Sequence, residues 1–228
     1  MRVSRAKNIR KEWKAPRECQ IIAAAFEEFA ANGYEAARLE NVAKRADVAK
    51  GTIYLYFPSK SRLFQAVVRS LIRPIPSDFD LIVKRSSASA GQLLSDLIAR
   101  QYAEVVTNRK ARAIVRLLIA ESGRFPQLSE TYHREVIKPG IRAIRLVLEK
   151  GIASGEFCDT GVKAFPQILA APSVLAIVWT LIHGNRARLD LEAYRAAHLN
   201  FILSALRNAP CLAATSPLGP PNLQGGQS

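Results

Sequence analysis

Cysteine, histidine and acidic residues are all in short supply in this chain of 228 residues. The three cysteines, Cys19, Cys158 and Cys211, lie far apart and form no CxxC pair. That spacing argues against a structural zinc site and against a disulfide framework, so reduced thiols are expected. The three histidines, His133, His183 and His198, do not fall at metal-ligand spacing, and no convergent set of nucleophile and base is visible. The chain therefore reads as neither an enzyme nor a cofactor protein. Sustained strand alternation is also missing, which leaves an all-α fold. No apolar run precedes Cys19, so no signal peptide is expected and the protein reads as cytoplasmic.

What is abundant is positive charge. The formal net charge is +14. Residues 1–73 hold 15 Lys and Arg against 7 Asp and Glu, whereas the remaining two thirds of the chain holds 18 against 12. A basic end of this kind suits a polyanion, either nucleic acid or an acidic membrane surface, and charge alone does not choose between them. Residues 164–185 carry no charged side chain, and a helix of that length would span ~33 Å, close to the thickness of a bilayer. Pro166, Gln167, Pro172, Ser173, Thr180 and His183 interrupt it. A buried or subunit-interface helix is the better reading, with no membrane partner.

Along the chain, residues 1–16 are polar and basic and read as a flexible arm. From Arg17, apolar residues recur at helical spacing (Ile21, Ile22, Ala25, Phe26, Phe29) until Asn32-Gly33, a C-cap pair. A helix at 39–46, a turn at Asp47 and a helix at 50–56 follow. Phe57-Pro58-Ser59 then breaks the chain, and Ser59 caps a helix over 60–72. Pro74 and Pro76 close a unit spanning 17–73. A larger helical unit occupies 77–208, with helices near 91–107, 109–122, 129–153, 161–184 and 190–208. The Pro-, Gly- and Ser-rich residues 209–228 read as a disordered tail.

Residues 39–57, LENVAKRADVAKGTIYLYF, can fold as two short helices crossing steeply over Val42, Ala46, Val48 and Ile53. Asp47 stands at the turn, where a left-handed backbone is needed. The second helix then presents Lys50, Thr52, Tyr54, Leu55 and Tyr56 outward, with Gly51 allowing close approach. These types suit a major groove: Lys and Thr donate to phosphates or base edges, Tyr hydroxyls reach phosphates, and Leu packs on a thymine methyl. Lys60, at the start of the next helix, is placed to hold a phosphate. Tyr54, Tyr56 and Phe57 can equally be core aromatics, and Phe57 fits that role best.

The order NGYEA, A-x-x-A-x-V, GTIYLYF and FPSK, running from Arg17 to Val68, resembles the N-terminal domain of the TetR/AcrR family of transcriptional regulators. The resemblance implies a three-helix, helix-turn-helix DNA-binding domain followed by a larger helical domain for effector binding and dimerisation. It assigns Lys50, Gly51, Thr52 and Leu55 to bases or their surroundings, and Thr52, Tyr54, Tyr56 and Lys60 to phosphates. Arg38 stands where the family usually has a Ser or Thr cap. It can bind phosphate but cannot cap, and Ala49 likewise replaces a frequent Ser cap. Residues 113–139 resemble, more loosely, members that control multidrug efflux. The implied function is a ligand-released repressor that binds a palindromic double-stranded operator as a homodimer.

For the effector, expected to be small and apolar, the candidate residues are Tyr102, Leu118, Glu121, Phe125, Tyr132, Trp179 and His183. For the dimer interface they are Leu175, Trp179, Ile182, Phe201, Ile202 and Ala205, on two helices that would form a four-helix contact across a two-fold axis. A basic protein that binds DNA or a membrane surface without sequence preference is the competing reading; footprinting on one palindrome would exclude it.

Overall fold

Helices make up every regular element of the computed structural model, which describes residues 2–71, 78–184 and 186–208, with side chains from Pro16 onward. The helices are α1 (Arg2–Ala36), α2 (Leu39–Arg45), α3 (Lys50–Tyr56), α4 (Lys60–Ser70), α5 (Phe79–Arg85), α6 (Ala90–Gln101), α7 (Arg109–Glu121), α8 (Pro126–Tyr132), α9 (Lys138–Ala153), α10 (Ala171–His183) and α11 (Leu191–Asn208). The boundary prolines Pro74 and Pro76, the tail and Cys211 lie outside the described residues.

The backbone of α1 starts at Arg2 and continues through Pro16, where the sequence suggests a flexible arm. The arm lacks an apolar face in its sequence, but its Arg, Lys, Ala and Glu residues are good helix formers, which suits a helical backbone. At the other end Gly33 breaks α1 with φ 76° and ψ 176°, at the Asn-Gly pair expected to stop it.

The helix-turn-helix is built as the sequence indicates. Asp47 holds a left-handed φ of 51° between α2 and α3. An aspartate tolerates that region less well than glycine, so Asp47→Gly should stabilise the fold by about 0.5 kcal/mol in urea unfolding. Neither Arg38 nor Ala49 caps its helix with a side chain. Ser59 does cap α4, accepting from the Arg62 N–H at 3.2 Å. The cap missing at Arg38 is replaced from α1. The Glu28 carboxylate, 1% exposed, accepts from the Arg38 N–H at 3.2 Å and from Asn41 Nδ2 at 2.9 Å. Burial pushes the Glu28 pKa up, but hydrogen bonds from Asn41, the Arg38 N–H and Asn32, together with the Arg45 charge, leave it below the usual range.

Two apolar cores result. The first gathers Ile21, Phe29, Val42, Ile53, Leu63, Phe64 and Val67, but it is completed by Ile114, Leu117 and Leu118 of α7 and Leu128 of α8. The second lies among α5, α6, α9, α10 and α11, around Leu94, Ile98, Val147, Leu148, Ala176 and Leu206. The two sequence units thus share a core at α7 and α8.

Four further elements differ from the sequence reading. Helix α5 was not anticipated. The helix expected over 91–107 becomes α6 plus a π-helical turn, Tyr102–Val106, and that over 129–153 becomes α8, a second π-helical turn, His133–Ile137, and α9. The helix expected over 161–184 starts late: Pro166–Ala170 is a 3-10 turn, and α10 begins at Ala171 with Pro172 in its first turn. A proline cannot donate to the preceding turn, and here the chain starts one element at Pro166 and the next with Pro172 in its first turn. Cys19 is a free, exposed thiol, whereas Cys158 is disulfide-bonded, so the expectation of reduced thiols fails at Cys158.

Candidate functional site

Helix α3 buries Ile53 and turns the rest of its short length outward. Leu55 is 82% exposed and Tyr54 46%; Lys50 and Gly51 are exposed, and Thr52 and Tyr56 half-buried. A Cβ at Gly51 would meet nothing within 4 Å, so that surface is open. Lys50 Nζ donates to Glu40 Oε1 of α2 at 2.5 Å, which raises the lysine pKa and orients the ammonium across the two helices. Phe57 is 6% exposed and belongs to the core. Arg38 is exposed at the start of α2.

Lys60 stands at the N-terminus of α4. Its Nζ lies 4.9 Å from the Tyr34 ring centroid and donates to the Glu35 carbonyl at 3.0 Å. Burial lowers its pKa, against the opposing pull of Glu121, Glu28 and Glu35. An ammonium has three donors, so two remain for another acceptor.

The same turn is gripped from the other side by α7. Glu121 Oε1 accepts from the Tyr34 N–H at 2.7 Å and Oε2 from the Glu35 N–H at 2.9 Å. Arg124 returns a two-pronged bond to the Glu35 carboxylate at 2.5 and 2.8 Å, and Phe125 packs edge-on against Tyr34 at 5.3 Å. Glu121 and Phe125, considered for an effector, therefore join the two units. The sequence held no local sign of this, because Glu121 and Tyr34 are 87 residues apart.

A cavity of about 450 Å³ opens between α6, α7, α9 and α10 and the two π turns. It is within the range of small-molecule sites. Leu97, Val115, Ile144, Ile177 and Val178 make it mostly apolar, and Tyr132, Arg100, Glu104 and Glu135 bring polar groups. Burial pushes the Tyr132 phenol up to about 12, so it faces the cavity as a neutral hydroxyl. Of the seven effector candidates Tyr132 alone lines this space. Tyr102 is 2% exposed and Leu118 belongs to the first core. The Tyr102 hydroxyl meets His198 Nδ1 at 3.2 Å, while His198 Nε2 meets the Leu169 carbonyl at 2.9 Å. A carbonyl only accepts, so Nε2 carries the proton and Nδ1 takes that of Tyr102. The Trp179 and His183 rings lie 4.4 Å apart, tilted by 47°, and neither lines the cavity.

Residues 21–67 match the family model for bacterial regulatory proteins of the tetR family, and residues 88–194 match that for the tetracyclin repressor-like C-terminal domain. The chain belongs to the TetR family. It is a helix-turn-helix DNA-binding transcriptional regulator, not an enzyme. A fatty acid metabolism regulator protein of Bacillus subtilis is 27% identical over 201 residues, covering 86% of this chain and 98% of that protein. The crystal structure of the transcriptional regulator FadR from Bacillus subtilis in complex with stearoyl-CoA superposes with a TM-score of 0.63 at 24% identity, over 82% of this chain and 98% of that one. The flavonoid-responsive regulator FrrA gives 0.61 at 27% identity, over 86% of this chain and all of that one.

In this TetR-family chain, α10 and α11 leave a large apolar face uncovered. Leu175 is 55%, Ile182 63%, Trp179 40% and Phe201 73% exposed, and Ala205 is exposed beside them in α11. Ile202, expected on this face, is 4% exposed and packs in the second core. It lies one residue beyond Phe201, about 100° round the helix, and so points inward. The stretch Pro166–His183 is long and apolar enough to cross a membrane by length and composition, but the 3-10 turn and Pro172 divide it.

Proposed function

We propose that the protein is a cytoplasmic repressor that binds a palindromic operator as a homodimer and releases it when an elongated apolar effector, a long-chain acyl compound, enters the cavity. The observation that carries the DNA reading is Leu55: a large apolar side chain standing 82% exposed between Lys50 and Lys60, where water gains nothing from it and a thymine methyl does. On this reading Lys50, Gly51, Thr52 and Leu55 face bases, while Arg38, Tyr54, Tyr56 and Lys60 hold phosphates. The acyl reading is supported by the mostly apolar cavity and by the fatty-acid and stearoyl-CoA relatives. The uncovered face of α10 and α11 suits a second copy better than a bilayer, because Pro166–Ala170 is a 3-10 turn and the α-helix that follows, Ala171–His183, has 13 residues where a bilayer needs about 20.

Selection of bound sequences from random duplex DNA tests this directly. It should return one palindrome with half-sites about 34–36 Å apart or a multiple of that; recovery of unrelated sequences would leave only salt-dependent, non-specific binding. On the selected duplex, Lys60→Ala should weaken binding to all sequences by a similar factor and lower the salt slope by about 1 per protomer, whereas Leu55→Ala should relax preference at one base pair. An unchanged salt slope in Lys60→Ala would remove Lys60 from the phosphate set.

A further inference from the structure

Two π-helical turns occur among the described residues, and both form wall of the same cavity. Glu104 and Val105 come from Tyr102–Val106, and Glu135, Val136 and Ile137 from His133–Ile137. A π turn inserts one residue into a helix, interrupts the regular hydrogen-bond ladder and recurs at functional sites. In the second turn Glu135 points two ways at once. It lines the cavity, and its carboxylate is also the anchor of α4. Oε2 accepts from Arg69 Nε at 2.6 Å, and Oε1 from Arg69 Nη2 at 3.1 Å and Gln65 Nε2 at 2.9 Å. Arg134 adds a third donor residue at 3.1 Å. The Glu135 side chain is only 12% exposed. A bidentate pair with a shielded carboxylate and further donors differs from the isolated surface ion pairs that contribute little. The Arg69 hydrogen bond is the main reason that the Glu135 pKa falls to about 2, against the opposing effect of burial.

We propose that Glu135 is the positioning residue through which occupancy of the cavity reaches the DNA-binding unit, with the π turn as the element that yields. The proposal rests on reading the cavity as the effector site. A molecule pressing on Val136 and Ile137 acts on a turn whose ladder is already interrupted. Closing that turn to an α-helix moves the register by one residue, about 100° of rotation, which swings the Glu135 carboxylate away from Arg69 and Gln65. Helix α4 then loses its polar anchor at the end remote from Lys60 and keeps only its apolar packing on α7 and α8, which lets it shift and carry the recognition helix with it.

The test uses the full chain, the selected duplex and stearoyl-CoA as the probe. The wild type should bind stearoyl-CoA and lose operator affinity about tenfold or more, within the usual range of allosteric coupling. Arg69→Gln leaves the cavity wall intact, so it should still bind the probe in calorimetry while the loss of operator affinity shrinks below about threefold; Arg69→Lys should restore part of it. Full release in Arg69→Gln overturns the proposal. A wild type that fails to bind stearoyl-CoA overturns the acyl reading alone, and a cavity-filling substitution then decides the coupling. Gly140 lines the cavity, and a Cβ there meets nothing within 4 Å, so Gly140→Phe, or Gly140→Leu where Phe does not fold, stands in for a ligand. It should weaken operator binding about tenfold in the wild type and less than about threefold with Arg69→Gln. Equal losses in both backgrounds, or none in either, overturn the proposal.

Discussion

Gly33→Ala is expected to unfold the protein at a temperature about 10 °C lower than the wild type, at some 2–4 °C for each kcal/mol lost in a chain of this size. Two costs add. The backbone at Gly33, φ 76° and ψ 176°, lies in a region open essentially to glycine alone, and forcing another residue there costs about 1–3 kcal/mol. The new Cβ would also stand 2.3 Å from Glu121 Oε1. The carboxylate must move, and its bonds to the Tyr34 and Glu35 N–H groups go with it. Charge-assisted bonds of this type contribute about 1.5–3 kcal/mol. The control is Gly51→Ala, where a Cβ meets nothing and the melting curve should stay within about 2 °C. Circular dichroism melts of the three proteins check the expectation; coincident curves for Gly33→Ala and the wild type would mean that Glu121 does not hold the turn.

The second large effect is on assembly. Placing glutamates at Leu175 and Phe201, 55% and 73% exposed in the protomer, leaves the fold untouched but, in a homodimer joined through the α10 and α11 face, sets unpaired carboxylates against their symmetry mates across the two-fold contact. Burying an uncompensated charge costs about 3–5 kcal/mol, so the double variant Leu175→Glu with Phe201→Glu should raise the dimer dissociation constant by a factor of about a thousand. Operator affinity should collapse with it, because a single helix-turn-helix unit makes too few base contacts. Sedimentation at micromolar concentration reads the outcome. A folded double variant that remains dimeric places the interface elsewhere.

The recognition unit was legible because its signals are local. Asp47 needed only the spacing of two short apolar runs to be assigned a turn, and Ser59 only its place after Phe57-Pro58 to be assigned a cap. The cavity was not legible, for the opposite reason. Tyr102, Leu118, Glu121 and Phe125 are the residue types that line cavities, but burial against a partner distant in sequence decides what they do. Tyr102 meets His198, and Glu121 meets Tyr34, and nothing in either neighbourhood announces the partner. Both π turns were equally hidden, since one inserted residue hardly disturbs a hydrophobic period read over a long helix. Helix α5 escaped notice because Phe79–Arg85 is only seven residues long and carries too few turns to show a period. Ile202 was assigned to the wrong face because α11 is apolar on more than one side, with Phe201 out and Ile202 and Leu206 in.

Completion of the first core by Ile114, Leu117, Leu118 and Leu128 limits how such a regulator can be recombined. Its DNA-reading head is not a detachable module. Joined to a foreign sensor, it would face whatever side chains that sensor offered at these four positions and would keep a hole or a clash wherever they differed in volume. If Lys50, Thr52 and Leu55 on the outer surface of α3 face bases as proposed above, new operator preferences are reached more readily by exchanging them than by transplanting whole heads, and chimeras should work best when α7 and α8 travel with the head.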